Sequence, residues 1–369
     1  MHYDIVVVGA GISGATLAER FATVLNKKIL VLEKRDHIGG NCYDYYNSDG
    51  ILVSKYGAHL FHTKYQDVWN YVQQFSDWLP YEHHVLAQIE GKLVPIPVNI
   101  TTVNVLLGEN LQNEKDMQNW LAKNQIAFKN PKNSEEVALS RVGRVLYEKL
   151  FKNYTKKQWD KYPIDLNTEV LERIPVRANF DNRYFSDQYQ AQPTHGFTKL
   201  FENMLSHKNI TVKVSTDFFS LRKDLSFDKL FYTGPIDQYF ASLNYPKLEY
   251  RSLKFVEETY DTAYFQENSV INYPSPDVPY TRTVEYKHIT RQIHPKTTIV
   301  KEYSSATGEP YYPVPNARNK KLYERYKKEA EKLEKKGIYF VGRLANYKYF
   351  NMDEAFKNSL DLFAKLNQN

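Results

Sequence analysis

Disulfides are out of reach for this chain, because Cys42 is its only cysteine. Stability must come from a buried core, and a reducing compartment, the cytoplasm, is the expected location. Also missing is any apolar run long enough to cross a bilayer, and the first eight residues already read as the start of a fold. Neither a leader nor stable membrane insertion is therefore expected. Excess charge of one sign is small: 49 basic and 43 acidic residues leave +6, with no concentrated basic stripe. That balance disfavours a nucleic-acid binder, whose phosphate contacts would fall steeply with salt, and suits a small anionic ligand. Repeats and low-complexity tracts are absent too. With 369 residues the chain exceeds one typical domain and can bury a sizeable core.

What is present in force is aromatic: 30 tyrosines and 20 phenylalanines, with many tyrosines near Arg and Lys in the second half. Most are accounted for by half-buried packing. The remainder suit a pocket that stacks a base and donates to sugar or phosphate oxygens.

The first forty residues carry the sharpest signal. Asp4-Ile5-Val6-Val7-Val8 reads as a buried parallel strand. It runs into Gly9-Ala10-Gly11-Ile12-Ser13-Gly14, then a helical pattern, then a second apolar run, Ile29 to Leu32, ending at Glu33. This is the dinucleotide-binding arrangement. Gly9 permits the tight turn, Gly11 the approach to a pyrophosphate and Gly14 close helix packing, while the first helical turn, with Ser13, faces phosphate. Glu33, nineteen residues beyond Gly14, is placed for the ribose hydroxyls. Beyond it, Lys34-Arg35-Asp36-His37-Ile38-Gly39-Gly40-Asn41 adds the R-x-x-x-G-G extension of glutathione-reductase-type FAD proteins, which favours FAD over NAD.

The rest of the chain alternates in texture. The expected organisation is a glutathione-reductase-like Rossmann FAD domain of the α/β class with a helical insert and an antiparallel β-sheet domain. Its FAD-binding parts are 1–78, 196–245 and 319–369. Between them fall a sheet segment (79–98), the helical insert (99–165), a sheet and mobile substrate loop (166–195) and the antiparallel sheet (246–318). Ser134 followed by Glu135 and Glu136 predicts a helix start capped by Ser134. Asn351-Met352-Asp353-Glu354 predicts a capping box whose helix aims its positive end at the flavin's N1–O2 edge.

Several stretches together resemble one family. They are Glu33-Lys34-Arg35 with Gly39-Gly40-Asn41, Tyr56-Gly57-Ala58-His59-Leu60-Phe61-His62-Thr63 and Tyr154-Thr155-Lys156-Lys157-Gln158-Trp159. Further on come Arg173-Ile174-Pro175-Val176-Arg177, Tyr184-Phe185-Ser186-Asp187, Tyr232-Thr233-Gly234-Pro235 and Glu249-Tyr250-Arg251. Val278-Pro279-Tyr280-Thr281-Arg282, Lys301-Glu302-Tyr303, Glu309-Pro310-Tyr311-Tyr312 and Gly342-Arg343-Leu344 with Tyr347-Lys348-Tyr349 complete the set. The chain resembles the bacterial UDP-galactopyranose mutases, flavoenzymes that interconvert UDP-galactopyranose and UDP-galactofuranose for cell-surface polysaccharide.

The resemblance implies a mechanism and a set of roles. N5 of reduced FAD attacks the anomeric carbon and expels UDP, the sugar ring opens and recloses, and UDP returns. Arg173 and Arg282 match the diphosphate-binding arginines, and Arg177 a structural one. Tyr184, Tyr312 and Tyr349 match hydroxyl donors to phosphate and sugar. Phe151, Tyr154, Thr155 and Trp159 match the uridine pocket, with Asn272 a nucleotide contact. His59 and His62, with Leu60, match the stretch over the flavin near N5. His83 falls near the sugar, and Glu302 matches a carboxylate that neutralises arginine charge. Arg343, Tyr349 and Met352 join the cofactor set, and Asn351 stands where some members carry aspartate, so no general base is expected there. No metal is implied; an electron donor such as NAD(P)H or a reductase, and a homodimer, are. The alternatives are the same chemistry on UDP-N-acetylgalactosamine, an FAD oxidoreductase of the same fold such as an amine oxidase, and a nucleic-acid binder that keeps FAD for stability.

Overall fold

A computed structural model describes residues 2–367. Met1 and residues 368–369, which the first and last expected segments include, lie outside the described residues.

Three separated pieces of chain build one parallel sheet. Its order is Ile210–Lys213, Ile29–Leu32, His2–Val8, Ser226–Tyr232 and Ile338–Phe340, and every pairing is parallel. Its central strands are apolar on both faces, since each face is covered. One face, with Ile5, Val7, Val31 and Phe231, packs on the helices Ile12–Leu25, Gly196–Met204 and Met352–Asn367. The other, with Val6, Leu30, Leu230 and Tyr232, packs on Ala317–Glu334. This is the interrupted dinucleotide fold the sequence predicts.

The second sheet has seven strands and its own core, shared with the helical insert. Its order is Tyr312–Pro313, Tyr250–Tyr260, Thr297–Ser305, Arg282–Glu285, Val270–Asn272, Val85–Ile89 and Lys92–Ile96. The strands drawn from residues 246–318 pair with one another antiparallel, as their alternation predicts. The hairpin from residues 85–96 enters from elsewhere in the chain and joins Val270–Asn272 in parallel. The segment 166–195 contributes Tyr189–Pro193 to a separate three-stranded sheet with Phe61–Thr63 and Trp78–Pro80.

Two caps differ from expectation in an instructive way. Asn133, not Ser134, caps the helix Ser134–Leu146, accepting from the Glu136 N–H. Ser134 is buried one residue inside and donates to the Asn167 carbonyl at 2.6 Å. Both residue types can cap; the partner available to Ser134 decided. At residue 351 half of the predicted box forms, the Asn351 N–H donating to Glu354 Oε2 at 2.8 Å.

Candidate active site

At the carboxyl ends of the parallel strands the chain turns into helices and loops, and a cleft opens there with about 1220 Å³ of free space, its open mouth included. Steric need explains its glycines. A Cβ on Gly14 would lie 1.9 Å from the Gly9 carbonyl oxygen, so only glycine lets the helix Ile12–Leu25 seat against the strand end. Gly40 has φ +56°, and its Cβ would lie 2.8 Å from Gly11 Cα. The second glycine pair thus nests against the first. Gly11 caps the helix without a side-chain bond, so the N–H groups of the first turn face the cleft.

Glu33 is fixed at the edge of this cleft, accepting from the Ala10 and Arg35 N–H groups at 2.9 Å each. Each oxygen keeps a second lone pair for a ribose hydroxyl. Thr216, Asp217, Phe218 and Phe219 join this end, tied to it by the Thr216 N–H on the Glu33 carbonyl. Arg35 stacks over Tyr56 at 4.2 Å, donates to Asn41, and pairs with Glu309 at 2.5 Å. A second group in the lining is His59, Cys42, Arg343, Asn351 and Met352. The His59 Nδ1–H donates to the Gly57 carbonyl at 2.8 Å. Burial first, then the Arg343 charge, pushes its pKa down to about 4, so the ring is neutral with Nε2 as an acceptor. Burial pushes the Cys42 thiol up to about 12, which makes it an inert filler.

Of the residues expected to hold the cofactor, Gly9, Gly11, Ser13, Glu33, Lys34, Gly39, Gly40, Asn41, His59, Arg343 and Met352 line the cleft. Gly14 serves it from behind, Leu60 packs against the core of the second sheet, and Tyr349 belongs to a neighbouring cluster. Asn351, expected at the sugar, lines the cleft as well.

That neighbouring cluster is aromatic and cationic. Tyr312 and Tyr349 stack at 5.5 Å and 18°. Arg173 lies 4.4 Å over the Tyr349 ring, and Arg343 lies 5.4 Å from Tyr349 and 5.6 Å from Tyr312. Although burial opposes it, the charges of Arg173, Arg343 and Arg282 hold the Tyr349 phenol below its ordinary pKa. Arg282 is cross-strand to Glu302, with Nε 3.1 Å from Oε2 but not aimed at it. Among the described residues the Arg282 guanidinium makes no hydrogen bond within the protein, and the Arg173 guanidinium makes only a long one, from Nε to the Val170 carbonyl at 3.4 Å, besides its stacking on Tyr349. Three guanidiniums against one buried carboxylate leave two positive charges in a small space.

Around this cluster stand the remaining expected residues. The Tyr154 hydroxyl donates to Asn272 Oδ1 at 3.3 Å. Phe151, Thr155 and Trp159 are enclosed in the core, the Trp159 ring reaching to 6.5 Å from Tyr349. His83 is buried against the Tyr184 and Phe185 rings, and burial followed by the Arg282 charge pushes its pKa down to about 3. His62 stacks on Phe185 at 3.5 Å, and its Nδ1–H donates to Asp187 at 2.5 Å. Arg177 braces the loop through an ion pair with Asp181 at 2.6 Å.

Some contributors had no place in the expected set. Asp187 closes the stretch Tyr184-Phe185-Ser186-Asp187, but nothing local ties it to His62, 125 residues earlier. Thr216 to Phe219 follow an edge strand and carry no pattern of their own. Arg141 was also missed; it donates to the Leu171 and Glu172 carbonyls at 3.1 and 2.9 Å, stapling the short helix before Arg173.

Fold and site together define an α/β enzyme of the dinucleotide-binding type with a cationic, phenol-lined site beside the nucleotide cleft. A family model described as UDP-galactopyranose mutase matches residues 149–349, and one described as an NAD(P)-binding Rossmann-like domain matches 7–75. A probable UDP-galactopyranose mutase of Klebsiella pneumoniae is 37% identical over 97% of this chain and 93% of its own length. A dTDP-fucopyranose mutase of Escherichia coli is 35% identical over 97% and 96%. A crystal structure of reduced UDP-galactopyranose mutase shares the fold with a TM-score of 0.79, at 17% identity, over 100% of this chain and 94% of the other. The chain belongs to the UDP-galactopyranose mutase family, whose reaction is an isomerisation.

Proposed function

We propose that the protein interconverts UDP-galactopyranose and UDP-galactofuranose with FAD in the cleft. The observation that carries this reading is the pair Arg173 and Arg282, whose terminal nitrogens are almost unspent on the protein. The site's surplus of two positive charges matches the two negative charges of a nucleoside diphosphate ester. Bound and reduced, FAD would supply a nucleophilic N5 to the anomeric carbon, which is why no net oxidation is needed. NAD(P)H or a reductase would supply the electrons.

The chain's own residues do the rest. Gly9, Gly11, Gly39 and Gly40 give the dinucleotide its close approach, Glu33 takes the ribose, and His59 offers a neutral acceptor. Arg173 and Arg282 hold the diphosphate as it leaves and returns, with Tyr184, Tyr312 and Tyr349 as hydroxyl donors. Losing one such preorganised donor typically costs about 10²–10³ in rate. Glu302 keeps Arg282 extended and sets the net charge. Phe151, Tyr154, Thr155, Trp159 and Asn272 form the base side, and His62 and His83 the sugar side.

Heat-denatured protein should release FAD, and the intact holoprotein should bind UDP in a salt-sensitive manner. A colourless protein, or one indifferent to UDP, would overturn the reading. The Escherichia coli relative named for dTDP-fucopyranose favours one extension. Base and sugar vary within this group of sequences, so dTDP-fucofuranose and UDP-N-acetylgalactosamine should be offered beside the galactose pair.

A further inference from the structure

The motif Tyr154 to Trp159 contains two adjacent lysines that look alike in sequence and have opposite fates. Lys156 points outward, its side chain 39% exposed, and pairs with Asp160 one turn on. Lys157 turns inward. Its ammonium donates to the carbonyls of Ser275 and Val278, each at 2.9 Å, of Tyr280 at 3.1 Å, and of Tyr273. An ammonium has three N–H donors, so these four oxygens surround it on every side the side chain leaves open. Burial accordingly draws its pKa down, to about 8, with no carboxylate to oppose the shift.

The segment that supplies these carbonyls joins the strand Val270–Asn272 to the strand Arg282–Glu285. It therefore lies between Asn272 and Arg282. Lys157 itself sits on the helix Asn153–Trp159, two residues from Thr155 and Trp159. Removing the ammonium would leave four carbonyl dipoles converging, only that of Ser275 keeping another donor, the Val278 N–H at 3.4 Å, and the cheapest relief is for the segment to move off the helix.

We propose that Lys157 is a positioning residue for nucleotide binding, its ammonium clamping segment 273–280 to the base-side helix and so setting the distance from that helix to Asn272, while Arg282 is held by the strands on either side of it. The inference rests on the nucleotide site proposed above. It predicts that Lys157 acts on binding and not on the chemical step, because it touches neither the cleft nor the phenol cluster.

The test titrates UDP into the holoprotein of wild type, Lys157→Met and Lys156→Met, with hydrogen exchange of segment 273–281 measured alongside. Lys157→Met should weaken UDP binding about tenfold, the equivalent of one charge-assisted hydrogen bond. KM should rise by a similar factor with kcat held within about twofold, the signature of lost uniform binding. Exchange in 273–281 should quicken, and Lys156→Met should match wild type throughout. If Lys157→Met does not fold with FAD, Lys157→Gln, which keeps two donors, takes its place under the same criteria. Wild-type UDP affinity in the folded variant, or a fall in kcat with KM unchanged, would overturn the inference. Failure of the wild type itself to bind UDP would instead remove the nucleotide site on which it rests.

Discussion

Arg282 serves two masters, and a pair of variants separates them. Its guanidinium is, among the described residues, the only cation paired with Glu302, which is 2% exposed and faces it directly across neighbouring strands. Arg282→Met would strand that carboxylate. Removing one partner of a buried pair typically costs about 3–5 kcal/mol. The lower end applies here, because the arginine side chain is 28% exposed and the contact is not an aligned hydrogen bond. Arg282→Met/Glu302→Gln removes the stranded charge, so most of the lost stability should return. Turnover should not: both variants lose about 10²–10³ in rate, because the donor to the departing diphosphate is gone. Urea unfolding followed by tryptophan fluorescence reads the first quantity, and kcat/KM on the nucleotide sugar reads the second. Recovery of turnover in the double variant would refute the reasoning, since it would reduce Arg282 to a counter-ion for Glu302.

Other outcomes follow from the same geometry. Asp187→Asn should leave FAD bound while lowering turnover, because the short bond that orients the His62 ring weakens; unchanged turnover would release His62 from the site. Arg141→Met should raise KM and speed proteolysis between residues 168 and 178, since two carbonyls of the Arg173 segment lose their staple, and unaltered cleavage would show that segment to be held elsewhere. His83 is neutral in the folded state down to about pH 3, while an unfolded histidine takes its proton below about 6.5. Stability should therefore be full above pH 6.5 and fall on acidification toward pH 3, with a slope from this one residue of at most about 1.4 kcal/mol per pH unit. Melting curves of His83→Asn between pH 4 and 7 should be correspondingly flatter, and identical slopes would show that His83 is not held neutral.

The cleft was legible from the sequence because its parts are local. A strand, three glycines, a helix and an acid within thirty-three residues leave little freedom, and Gly14 and Gly40 stand where side chains would collide. The interruptions of the fold were legible for a similar reason, as changes of periodicity. What sequence could not reveal were the long-range bonds. The Asp187–His62 pair, the parallel seam between Val270–Asn272 and Val85–Ile89, and the caging of Lys157 rather than Lys156 all depend on segments more than a hundred residues apart. Capping shows the same limit at short range. Asn133 and Ser134 are equally able to cap, and the buried carbonyl of Asn167 drew Ser134 away.

The proposed reaction is a change of sugar ring size without net oxidation, with Arg173 and Arg282 holding the diphosphate. Its most direct test is to incubate the purified holoprotein with UDP-galactofuranose, with and without dithionite, and to separate the nucleotide sugars by chromatography. The account predicts conversion to UDP-galactopyranose only under reduction, and its loss in Arg173→Ala. Conversion in the oxidised protein, or none in either state while UDP still binds, would contradict it.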